Sequence, residues 1–181
     1  YFDEEEVGSI KIEIAFISEE IIGHLPKNTN WRNKMRAPFQ ILAIPYRIID
    51  DTLMFCVMHR SDVDWWQFIA GGGEDSETPI EAAKREIFEE VGVAVRNISQ
   101  LTFMAYVPTD CFAEHHRKNW SADTYIIPEH CFAFECDDNI VLSNEHTECA
   151  WLTYDEACKT LKWDSNRTAL YELKCRLENN K

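Results

Sequence analysis

The chain has 181 residues, 45% of them apolar, and a formal net charge of −14, a length that suits one domain with a sizeable core. So acidic a surface repels nucleic-acid polymers and anionic membranes at long range, and neither is expected as a partner. No apolar run is long enough to span a bilayer and nothing at the start reads as a signal peptide, so a cytoplasmic location is expected.

Residues 1–7 are acidic, and 10–17 alternate as a strand should, with Ile10, Ile12, Ile14 and Phe16 on one face. Residues 23–38 read as a connector broken by Pro26, which divides the chain into an N-terminal extension (1–35) and a main domain (36–181). Two apolar runs, 39–49 and 52–59, meet at Asp50-Asp51, a hairpin signal. A short strand over 66–69 enters Gly71-Gly72-Gly73, read as a loop, and a helix follows. Strands are expected over 93–107, 125–136 and 148–152, helices over 154–161 and 165–177, and a polar loop over 108–123. Interleaved strands and helices predict a layered α/β domain. The seven cysteines are odd in number and include no CxxC pair, so they read as small buried hydrophobes in a reducing compartment.

The helix after the glycines is sharply delimited. Thr78 and Glu81 make a T-x-x-E capping box, Pro79 takes the first helical position, and Gly92 stands where a left-handed cap is wanted. At about 100° per residue, Glu89 and Glu90 lie about 60° and 40° to either side of Glu86, so three carboxylates share one stripe, with Arg85 beside Glu89. Ile80, Ile87 and Val91 form the stripe expected to face the core. Glu89 and Glu90 lie in the last turn, where the helix dipole opposes negative charge, and Glu86 and Glu90 are a like-charged i,i+4 pair. A divalent cation reverses both penalties, and hard Mg²⁺ prefers such carboxylate oxygens and completes its shell with phosphates.

Taken as a string, Gly71, Glu77, Arg85-Glu86-Ile87, Glu89-Glu90 and Gly92-Val93 resemble the Nudix box, G-x5-E-x7-R-E-U-x-E-E-x-G-U with U aliphatic, at all nine positions. The resemblance implies an α/β/α sandwich with a mixed sheet and hydrolysis of a phosphoanhydride with Mg²⁺ or Mn²⁺. By motif position, Glu86 and Glu90 would be metal ligands, and Glu89 a ligand or base. Glu77 and Arg85 would brace the site, and the Gly71 carbonyl would join the metal shell. Asp64-Trp65-Trp66-Gln67, Asn144-Glu145-His146 and Lys162-Trp163 with Ser165-Asn166-Arg167 are similar to the dihydroneopterin triphosphate pyrophosphatase branch of that family. The similarity spans about residues 36–178. In that branch Glu145 matches a further metal ligand or base, so the base is left open between Glu89 and Glu145.

Cations are few, and Arg36, His59-Arg60 and the loop group His115-His116-Arg117-Lys118 are expected to face phosphates. Trp163 is the first choice to stack on a pterin or purine. The expected substrate is therefore a small nucleotide-like triphosphate, cleaved to monophosphate and pyrophosphate. A nucleotide sugar or dinucleotide is the alternative, and a non-catalytic binding module a third reading. The oligomeric state is open between monomer and homodimer.

Overall fold

The computed structural model describes residues 34–179, so the strand expected over 10–17 lies outside the described residues. Strand β1 (Arg36–Ile49) is long enough to serve two partners. Its second half pairs antiparallel with β2 (Thr52–Arg60), through a turn in which Asp50 and Asp51 have φ of 47° and 60°. Those angles suit a two-residue hairpin turn, and aspartate is among the few side chains that enter this region readily. The first half of β1 pairs antiparallel with β4 (Ile69–Glu74), and β1 runs parallel to β6 (Ile126–Glu135) on its other edge. With β3 (Trp66–Gln67), β5 (Ser99–Pro108) and β7 (His146–Leu152) the mixed sheet has seven strands.

Both faces of β1 are buried, which is why it reads as a continuous apolar run. Ile41 and Ala43 turn to the face covered by α1 (Pro79–Val91), where they meet Ile87 and Val91. Leu42 and Ile44 turn to the opposite face, against Leu170 and Leu173 of α4 (Asp164–Asn179) and Ala157 of α3 (Tyr154–Thr160). Each of these isoleucine, leucine and valine side chains contributes about 1.5–3 kcal/mol on full burial. This is the expected α/β/α sandwich.

Helix α1 begins and ends where the capping signals put it: both arms of the Thr78–Glu81 box form and Gly92 is left-handed at φ 71°. Ile80 departs from the expected core stripe and is 42% exposed, the buried arc being taken by Ala82, Ala83, Ile87 and Val91. The glycine run is strand, not loop, with Gly71 and Gly72 opposite Ile41 and Gln40. Strand β5 starts later than expected because Val93, Val95 and Ile98 pack into the α1-side core instead of pairing. The loop over 109–123 contains a short helix α2 (Glu114–Arg117) and docks on β1 through Trp120, whose Nε1 donates to the Arg36 carbonyl at 2.7 Å.

The outer strand β5 is clipped by α4 where its pairing with β6 shifts register. Glu172 accepts the backbone N–H groups of Thr102 and Phe103 at 2.7 and 2.6 Å, and Arg176 donates to the Gln100 carbonyl at 3.1 Å. Burial raises the Glu172 pKa, but the two N–H groups and Arg176 outweigh it and hold it below the usual range. The clip therefore contributes at neutral pH and is lost as pH falls through that lowered value. Glu172→Ala strands two donors and is expected to cost about 1–3 kcal/mol in urea unfolding at pH 7. An unchanged midpoint would show the clip to be idle.

Candidate active site

A cleft of about 810 Å³ opens beside the glycine strand. Its wall nearest α1 is organised by Arg85. The guanidinium grips Glu77 with two bonds (2.9 and 3.0 Å), the Gly72 carbonyl at 2.7 Å, and Glu89 and Glu86 at 2.9 and 3.0 Å. Glu77 in turn accepts the Glu74 N–H at 3.0 Å. Burial pushes the Glu77 carboxyl up, and Arg85 and the Glu74 N–H pull it below the usual range. One side chain thus ties β4, the following turn and α1 together.

Glu86 lies against Gly71, where any Cβ would overlap its carboxylate. Arg36 and Phe39 cross Gly72 and Gly73 in the same way. The glycines are needed for close approach of these side chains, which explains glycines inside a strand. Burial pushes the Glu86 carboxyl up to about 7, with Glu90 and Glu89 adding to the rise and Arg85 opposing it. Glu90 is 2% exposed and its carboxylate bonds His146 Nε2 at 2.6 Å. Burial raises its pKa too, against His146. Glu89 is exposed. Glu145 sits on a loop bound to the C-terminal end of α1, by Val141 and Ser143 N–H groups donating to the Val91 and Glu90 carbonyls, and to the end of β2 by Ser61 N–H donating to its own carbonyl.

Of the residues expected from sequence, the cleft is lined by Gly71, Arg85, Glu86, Glu89, Glu145, Arg36, Arg60, His116 and Trp163. Glu90 lies behind this surface, Glu77 braces it, and Gly92 caps α1 away from it. Two expectations need correction. His59 is not in the lining: its ring is held by Thr147 and Asp64 at 2.8 and 2.9 Å and packs on Trp66. Arg117, at the end of α2, does not line the cleft either, because only His116 of that turn faces it. Burial lowers the His116 pKa, and the neighbouring His115 and Arg36 charges add to the fall. Arg60 is paired with Asp62. Trp65 and Trp163 meet edge to face at 5.1 Å and form an aromatic wall.

Unanticipated from the sequence are the buried bond between His146 and Glu90 and a polar floor of Gln40, Gln67, Glu129 and Asn166. A signal for Glu129 was available, since it is a charged residue inside an apolar strand run.

Among the described residues no three acidic, histidine or cysteine side chains stand together as a ready-made metal cage. The donor set nevertheless suits a hard divalent cation. Glu86 is buried at the strand glycine, repelled by Glu89 and Glu90 and paired directly with the Arg85 guanidinium. Such a cluster lacks positive charge, and carboxylate and carbonyl oxygens are what Mg²⁺ takes.

The sequence pattern of the NUDIX domain matches residues 43–173, most of the chain. The chain belongs to the Nudix family. This Nudix hydrolase is 30% identical over 139 residues to the dihydroneopterin triphosphate diphosphatase of Escherichia coli K12, covering 75% of this chain and 91% of that one. Its structure is similar to that of a Nudix hydrolase from Listeria monocytogenes (TM-score 0.70, 43% identity, 80% of this chain and 97% of that one). It is also similar to the E. coli dihydroneopterin triphosphate pyrophosphohydrolase structure (TM-score 0.60, 26% identity, 76% and 95%). Nudix hydrolases use divalent metal ions. Among the described residues no helix is long and apolar enough to cross a membrane.

Proposed function

We propose that this Nudix hydrolase cleaves a nucleoside-triphosphate-like substrate, dihydroneopterin triphosphate or a (d)NTP, to the monophosphate and pyrophosphate with Mg²⁺, or Mn²⁺ in its place. The observation that carries this is the convergence on one cleft of an acidic cluster, Arg36, Arg60 and His116, and an aromatic wall. Glu86, Glu89, Glu90, Glu145 and the Gly71 carbonyl would hold the metal. When bound, it would screen the phosphate charge and acidify a water.

Arg36, Arg60 and His116 orient the phosphates, and Trp163 with Trp65 covers the ring. Between the two possible bases, Glu89 is already paired with Arg85, whereas the Glu145 side chain makes no hydrogen bond among the described residues. Glu145 is therefore the base that takes the proton from the attacking water, its loop held at both ends by backbone bonds.

The test is a Mg²⁺-dependent hydrolysis panel over pterin and nucleoside triphosphates, nucleotide sugars and dinucleotides, with products identified. Pyrophosphate plus a monophosphate is expected. A sugar phosphate or second nucleotide as the product of the preferred substrate would assign the chain to the alternative class. Glu145→Gln is expected to lower kcat by about 10²-fold or more with little change in KM or melting temperature. Full activity in this variant would return the role of base to Glu89.

A further inference from the structure

Glu129 is 5% exposed, yet it lines the cleft. Its Oε2 accepts the Gln40 Nε2 at 3.1 Å, while its Oε1 is buried with no hydrogen-bond partner. A buried carboxylate oxygen without a donor is costly, and a ligand that supplies N–H groups removes that cost. Its position in the sheet adds a second constraint. Gln40 of β1 lies opposite Gly72 of β4 on one side and Glu129 of β6 on the other. Gly72, Gln40 and Glu129 thus stand in a row across three strands, about 10 Å from first to last at ordinary strand spacing. Arg36, which lies over Gly72, reaches Gln40 Oε1 at 3.4 Å, so the contacts run from the Arg36 guanidinium through Gln40 to the orphan carboxylate.

We propose that Glu129, positioned by Gln40, is the specificity-determining residue of the cleft. Its carboxylate accepts the ring N–H and exocyclic amino group of a 2-amino-4-oxopyrimidine ring, the donor edge shared by guanine and pterin. This rests on the reading above that the substrate is a base-bearing triphosphate. Trp163, in the same lining, supplies the face while Glu129 supplies the edge. Burial raises the Glu129 pKa against the opposing effect of Gln40 and Ser165, and two further N–H donors act in the same sense as Gln40, stabilising the ionised form. Adenine, which offers no adjacent pair of donors of this kind, gains nothing from this carboxylate.

The test compares wild type with Glu129→Gln and Glu129→Asp. The first is isosteric and removes a buried charge, and the second keeps the charge but withdraws it by one methylene. Turnover is measured on dGTP and dihydroneopterin triphosphate, on ITP, which lacks the amino group, and on ATP. Binding of guanosine and of dihydroneopterin, neither carrying phosphate, is followed by tryptophan fluorescence without metal. Both variants are expected to lose roughly 10–100-fold in kcat/KM and in ring affinity for the 2-amino-4-oxo compounds, a smaller part of that on ITP, which keeps the ring N–H, and little on ATP. Whichever free ring binds wild type more tightly identifies the source, guanine or pterin. An equal loss on all four triphosphates, or no loss on any, would overturn the proposal. If wild type released no pyrophosphate from any triphosphate, the proposed reaction would fall. The ring-binding comparison would then still decide the role of Glu129.

Discussion

Glu86→Gln is expected to leave the protein folded and to reduce metal-dependent turnover by at least about 10³-fold, the scale of losing a main electrostatic contributor. Apparent Mg²⁺ affinity should weaken in parallel. Stability should move the other way. In the metal-free protein the Glu86 carboxyl is held up at about 7, above its ordinary 4.5. The folded state therefore binds this proton more tightly than the unfolded chain does. That contribution is greatest below about pH 4.5, declines as pH rises through 4.5 to 7, and stays level above, an effect of about 3 kcal/mol at most. Metal-free wild type should accordingly melt lower at pH 8 than at pH 5.5, Mg²⁺ should restore it at pH 8, and Glu86→Gln should flatten both responses. Calorimetry across pH with and without Mg²⁺ checks this. A Gln variant that still gains stability from Mg²⁺ as wild type does would remove Glu86 from the metal site.

Arg85→Ala should be the most destabilising single change in the site. It removes both bonds to Glu77 and the bond to the Gly72 carbonyl, and it takes from Glu86 the guanidinium that pairs with it directly. Breaking a largely buried ion pair from one side costs about 3–5 kcal/mol. Loss of the link between β4 and α1 should also lower kcat by about 10²-fold through displaced carboxylates. Arg85→Lys keeps the charge but not the planar fork, so it should recover part of the stability and little of the activity. A Lys variant with full kcat would show that Arg85 supplies charge alone.

The parts of this protein that could be read from sequence are those set by local geometry. Thr78, Pro79, Glu81 and Gly92 fix the ends of α1, and helical periodicity places its carboxylates on one stripe. Asp50-Asp51 and its flanking apolar runs define the first hairpin. What escaped depends on partners far along the chain. Gly71-Gly72-Gly73 suggest a turn until Glu86, Arg36 and Phe39 are seen crossing them. Glu90 shares the stripe of Glu86 by angle, but it is buried and bonded to His146, 56 positions away. His59 and Arg60 are neighbours in sequence, yet alternation along β2 and the separate partners Asp64 and Asp62 send only Arg60 to the cleft. Glu129 acquires its meaning from strand register with Gln40, which no local pattern records.

The α4 clip on β5 has a further consequence for how the molecule opens. Edge strands ordinarily fray first, residue by residue, and helix ends fray independently of them. Here the amides of Thr102 and Phe103 cannot be released without freeing Glu172, and the Gln100 carbonyl cannot be released without freeing Arg176. The edge strand β5 and the last two turns of α4 therefore form one cooperative unit. The end of α4 is a latch on an edge open to unwanted strand pairing.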